Sequence, residues 1–159
     1  MSVRLGLALA TLAAALALPT PARAQIGLGA HYAQFGEAFG GAVGAGARVT
    51  LGLPFIPITA AVNGEYFFPR CGSGDCALHG ATFDVNVSLP FIALHPWAGI
   101  GWSVRRLEVG KVERTERGLN FGVGAELGLG GFRPFVDLRY ELANAPEDQL
   151  LARFGLMFR

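Results

Sequence analysis

The stretch GLNFGVGAELGLG, residues 118–130, decides how this chain folds. Leu119, Phe121, Val123, Ala125, Leu127 and Leu129 form one series, and Asn120, Gly122, Gly124, Glu126 and Gly128 form the other. A period of two marks a strand whose two faces meet different surroundings. In a water-soluble sheet the apolar series would be the core and the polar series would face solvent. The other strands decide whether that ordinary orientation holds.

Alternation of the same kind recurs along the chain, and no segment from Gln25 onward carries a helical stripe. It predicts eight strands over 26–35, 42–53, 57–68, 79–90, 94–106, 118–129, 132–143 and 149–158. The connections around Phe55, around Ile92 and at Gly130-Gly131 are short. Those reading RCGSGDCA, EVGKVERTERG and NAPED are longer and polar, and GEAFGG is intermediate. Short turns alternating with longer loops suit an even-stranded, all-β, antiparallel up-and-down barrel with both termini at one end.

Followed through all eight segments, the apolar series holds no charge. It includes Ile26 and Leu28, Val43 and Val49, Val62 and Tyr66, Phe83 and Val85, Ile100 and Trp102, Leu138 and Tyr140, and Phe154 and Leu156. The opposite series carries Arg48, Glu65, Asp84, Arg105, Glu126, Arg133, Asp137, Arg139, Glu141 and Arg153, five of each sign. A soluble barrel would place its apolar series inside and scatter charge, usually lysine, outside. Here the charged face has no lysine at all; Lys111 is the single one in the chain. The inverted barrel fits better: apolar residues meet lipid, while glycines and mutually compensating charges fill a narrow lumen. An isolated charge there would cost several kcal/mol, so equal numbers predict paired networks. Glu126 and Arg133 flank the Gly130-Gly131 turn and are expected to meet diagonally across neighbouring strands. Phe55, Phe91, Phe132 and Phe158 fall near the short turns, and Tyr32, Tyr66, Phe68, Trp102 and Tyr140 near the longer loops, as two interfacial belts would require.

The N-terminus predicts export. Arg4 precedes an apolar stretch, Leu5 to Leu18, and Ala22-Arg23-Ala24 forms a small-x-small site. This is the anatomy of a signal peptide over 1–24, with residues 25–159 as one mature domain. Beyond it no apolar run is long enough for a membrane-spanning helix, despite a mean hydropathy of +0.40. Cys71 and Cys76 enclose GSGD, which in an exported chain reads as a local disulfide. A metal site would need more ligands than the nearby His79, so neither metal nor cofactor is expected. A net charge of +1 without a basic stripe argues against nucleic acid.

With its signal peptide, its eight alternating segments, the glycine-rich IGLGAHY and WAGIGWS, and the terminal LLARFGLMF, the chain resembles the small bacterial outer-membrane β-barrels of the OmpA/OmpX type. The resemblance spans residues 25–159 and implies residence in the bacterial outer membrane as a monomer among lipid and lipopolysaccharide. It also implies insertion by the barrel-assembly machinery, which reads a terminal aromatic residue. Here Phe158 is penultimate, so that signal is displaced by Arg159. Fold alone does not choose among the roles such barrels serve.

No nucleophile motif such as G-x-S-x-G is present, and no residue is assigned a catalytic role. The leading expectation is a non-enzymatic barrel acting in membrane structure or through its loops. A lipid-modifying enzyme would instead need His31 to converge with a serine such as Ser103 and a carboxylate at the membrane edge. A narrow pore and a soluble periplasmic barrel are the remaining alternatives. Lys111, Arg114 and Arg117 alternate with Glu108, Glu113 and Glu116, which reads first as a solvated mixed-charge hairpin. The alternative, with Arg105 and Arg106 beneath them and Arg70 beside the cysteines, is a basic rim for lipopolysaccharide phosphates.

Overall fold

A computed structural model describes residues 23–35, 40–53, 56–69, 76–89, 91, 93–110, 112–129, 131–143 and 149–158. Eight strands follow in chain order: β1 (Arg23–Phe35), β2 (Gly40–Gly52), β3 (Ile58–Phe68), β4 (Cys76–Ser88), β5 (Leu94–Val109), β6 (Val112–Leu127), β7 (Phe132–Ala143) and β8 (Gln149–Phe158). Each pairs antiparallel with the next, and β1 closes on β8, so the sheet is a barrel without a free edge over its membrane-spanning height. No helix among the described residues is long and apolar enough to cross a membrane. Residues 1–22, most of the expected signal peptide, lie outside the described residues, as do Phe55, Arg70, Lys111 and Arg159.

The faces are inverted relative to a soluble barrel. Ile26, Leu28, Val43, Val62, Phe83, Leu119 and Val123 all lie on the exposed outside, and Ile100 is 70% exposed. Phe91, Phe132 and Phe158 ring the short-turn end, and Tyr32, Tyr66, Phe68 and Trp102 ring the longer-loop end, all of them outward and exposed. The buried polar and charged groups are on the inside, with Asp84, Asp137, Arg139 and Arg153 fully enclosed.

The opening stretch now explains itself. Asn120 and Glu126 point inward to partner arginines, and the glycines between them make room for large neighbours. A Cβ at Gly122 would collide with the Leu138 carbonyl oxygen and Arg139 Cγ on β7, and one at Gly124 with the Trp97 ring. Gly64 faces outward on β3 with open space around it. Gly122→Val is therefore expected to lower stability by about 1–3 kcal/mol, the usual range for overpacking. Gly64→Ala should stay within about 0.5 kcal/mol. Urea unfolding of the detergent-folded barrel compares them, and equal midpoint shifts would contradict a tightly packed lumen.

The segment EVGKVERTERG is paired further along its length than expected. β5 runs on to Val109, β6 starts at Val112, and Gly110 after the end of β5 has a φ of +59° that suits glycine. Its residues alternate and pair across strands: Glu108 lies opposite Glu113, and Arg106 bridges to both at 2.9 and 2.6 Å. The segment is the expected mixed-charge hairpin, and the difference lies in its strands, which run beyond the expected ends at 106 and 118. The expected Cys71–Cys76 bridge involves Cys71, outside the described residues. Cys76 opens β4, with its Sγ 3.4 Å from the Pro69 carbonyl oxygen.

Candidate functional site

Alternation along the strands delivers all ten expected charges to the lumen side, eight of them buried and Glu126 and Arg133 half-buried. They are joined in one connected set and one separate pair. At the centre, Asp137 Oδ2 accepts from Arg48 Nη1 at 3.0 Å, Arg139 Nε at 3.2 Å and Arg153 Nη1 at 2.8 Å. Arg139 also donates to Asn120 and Asn86 at 2.8 and 2.6 Å and lies 3.1 Å from Asp84. Arg153 reaches Glu65 at 2.5 Å and Thr82 at 3.2 Å. Asn63 donates to Thr82 and Asp84, both at 2.8 Å.

Nearer the longer loops, Arg105 clamps Glu141 with two parallel bonds, Nε to Oε2 at 2.6 Å and Nη2 to Oε1 at 2.8 Å. This is the bidentate geometry in which arginine binds a carboxylate most strongly. Arg105 thus belongs to the lumen and not to a basic rim, and Arg106 is taken up by Glu108 and Glu113. At the short-turn end, Glu126 pairs in register with Phe135, which sets Arg133 diagonal to it; Arg133 Nη1 donates to Glu126 Oε1 at 2.8 Å. Carboxylates paired this way stabilise the barrel only as part of the whole set, because each charge is already desolvated.

Two apolar layers bracket the charges. Ala42, Phe67, Leu78 and Leu151, with Leu107 against them, form a plug at the longer-loop end. Trp97, Phe135 and Met157 form a collar at the short-turn end. Arg48 lies 5.2 Å from the Trp97 ring centre and 5.4 Å from that of Phe135, joining the collar to the network through cation–π contact. Beyond the collar a cavity of about 620 Å³, lined in part by His95, Ser88 and Arg133, occupies the short-turn mouth. The alternation rule missed these inward apolar residues. Their signal is a break in alternation near strand ends, as in EYFF at 65–68, QLLA at 149–152 and LMF at 156–158.

The three histidines part company. His31 is buried in the lumen, its Nδ1 3.3 Å from Glu65 Oε1. Ser103 instead donates to the Gly118 carbonyl at 3.3 Å, so His31 and Ser103 serve different partners. His79 lies edge-on to Tyr66 on the outside, ring centres 5.0 Å apart. No group of three or more potential metal ligands occurs among the described residues.

No protein-family model matches the chain, and no curated protein matches it. Solved structures do. Neisserial surface protein A (NspA) superposes with a TM-score of 0.67 at 17% identity, over 85% of this chain and 96% of that one. Ail, the attachment invasion locus protein of Yersinia pestis, gives 0.60 at 10% identity, over 87% and 99%. The N-terminal β-barrel domain of Pseudomonas aeruginosa OprF gives 0.60 at 13% identity, over 84% and 96%. Identities this low speak for the fold. Closed antiparallel topology, an inverted distribution of charge and these superpositions agree: the chain has the fold of the small eight-stranded outer-membrane β-barrels.

Proposed function

We propose that the chain is a non-enzymatic protein of the bacterial outer membrane, a monomer in the membrane plane, with a sealed lumen and a longer-loop end that faces outward. One observation carries this reading: a ring of exposed aliphatic and aromatic side chains surrounds fully enclosed arginines and carboxylates. In water that ring would expose far more contiguous apolar surface than a monomeric soluble protein tolerates. In a bilayer it is the required surface. Removal of residues 1–24, the Cys71–Cys76 bridge, use of Phe158 by the barrel-assembly machinery and contact with lipopolysaccharide belong to the same reading.

The plug of Phe67, Leu78 and Leu151 above a densely paired charge network supports a sealed lumen. The protein therefore holds a place in the membrane and presents its outer end, and it does not pass solutes. Donation by Ser103 to the Gly118 carbonyl, while His31 faces Glu65, supports the non-enzymatic reading over a rim hydrolase. The test is cell fractionation with gel migration before and after boiling, joined to planar-bilayer recording. Recovery in the outer membrane, heat-dependent migration and no steady single-channel current are expected. Release in soluble form without detergent, or a steady current, would overturn it.

A further inference from the structure

The β5–β6 hairpin has an edge that no other described strand covers. Pairing between β6 and β7 ends at Gly118 opposite Ala143, whereas β5 and β6 stay paired up to Val109 opposite Val112. Residues 112–117 are thus bonded on one side only, among the described strands. Their sequence is VERTER. About Thr115 it is antisymmetric in charge: Arg114 stands one step before the centre and Glu116 one step after, Glu113 two before and Arg117 two after.

An antiparallel edge-to-edge pairing of two copies about a two-fold axis at Thr115 sets Arg114 against Glu116 and Glu113 against Arg117, in both directions. Every charge on the edge then meets its opposite on the same face of the joined sheet. Glu113, Arg114, Thr115 and Arg117 are exposed, and Arg117 makes no ion pair among the described residues. Natural sheets blunt a free edge with charged side chains or proline. Here the charges are two acids and two arginines, so the edge is neutral and meets a second, antiparallel copy without net repulsion.

We propose that VERTER is a self-recognition edge joining two copies of this chain held in opposed membranes. Direction follows from symmetry. Copies in one membrane both run β6 from the tip toward the bilayer, so their edges would meet parallel. In register, that sets Glu113 beside Glu113 and Arg114 beside Arg114, which is repulsive. Only copies facing one another across a gap present the edge antiparallel. The inference rests on the outward orientation of the longer-loop end proposed above. It adds a partner, a second copy of the same chain on a neighbouring cell, and leaves the barrel monomeric within its own bilayer.

The test uses the folded barrel in two populations of vesicles carrying different fluorophores, read by clustering and energy transfer. Wild-type vesicles are expected to cluster. Arg117→Glu leaves Glu at both 113 and 117, and Glu113→Arg leaves Arg at both; each alone should weaken clustering about tenfold. Mixing the two variants restores opposite charges at every position, so clustering should return toward wild type. With an added thiol oxidant to take up the two electrons, Thr115→Cys should form a disulfide between the two populations, and Ile100→Cys, on the lipid face, should not. Boiling-dependent migration reports whether each variant has folded into its vesicles. Folded barrels that do not cluster, or mixed variants that fail to recover, would overturn self-recognition alone. Failure of the wild type to insert would overturn the membrane reading beneath it.

Discussion

Arg153→Met is expected to lower the unfolding free energy by about 3–5 kcal/mol, the range for removing one partner of a buried ion pair. Arg153 is fully enclosed and serves Glu65, Asp137 and Thr82 at once. Methionine fills much of its volume, so the loss comes from charge left behind more than from a void. Asp137 would keep Arg48 and Arg139, but among the described residues Glu65 would retain only Arg105 at 3.4 Å and His31 at 3.3 Å. Arg114→Ala supplies the contrast. Its bond to Glu116 is 2.9 Å long, yet the side chain is more than half exposed, and such pairs contribute about 0–1 kcal/mol. Urea unfolding in micelles, followed by gel migration, measures both. Similar losses for the two arginines would mean that the lumen is hydrated enough to screen its charges.

A single charge on the outer face should be nearly as harmful. Ile100→Arg, midway along β5, is expected to cost about 2–4 kcal/mol in a bilayer, and Phe132→Arg at the short-turn edge about 0–1 kcal/mol. Ile100 is highly exposed, beside Val85 on β4 and Phe121 on β6. Were its surroundings water, exchanging it for arginine would be nearly neutral. The two environments thus predict different outcomes for one substitution, and the difference between midplane and rim measures depth. Refolding yield and urea midpoints in phospholipid vesicles give the answer. A neutral Ile100→Arg would place the apolar belt outside any membrane.

Strand number, strand phase and the inversion of the barrel were legible because all three depend on a local period. Side chains two apart share a face whatever the sheet does next. Hence Leu119, Phe121 and Val123 could be set against Asn120, Gly122 and Gly124 with no coordinates. The Glu126–Arg133 contact was also within reach, since a short turn fixes the register of the strands beside it. The β5–β6 extension was not. VERTER has the composition of a solvated loop, and only its pairing with residues 104–109 shows that it is strand.

What the amino-acid order determined alone is which residues look outward to lipid and which look inward, because alternation is a property of the extended backbone itself. Which arginine meets which carboxylate was decided by closure. Arg48 finds Asp137 across 89 positions and Arg153 finds Glu65 across 88. Such partners are set by the stagger of strands around the ring, and no local period records it. The plug likewise gathers only when β8, distant in sequence, brings Leu151 to the level of Phe67 and Leu78, which pair across β3 and β4.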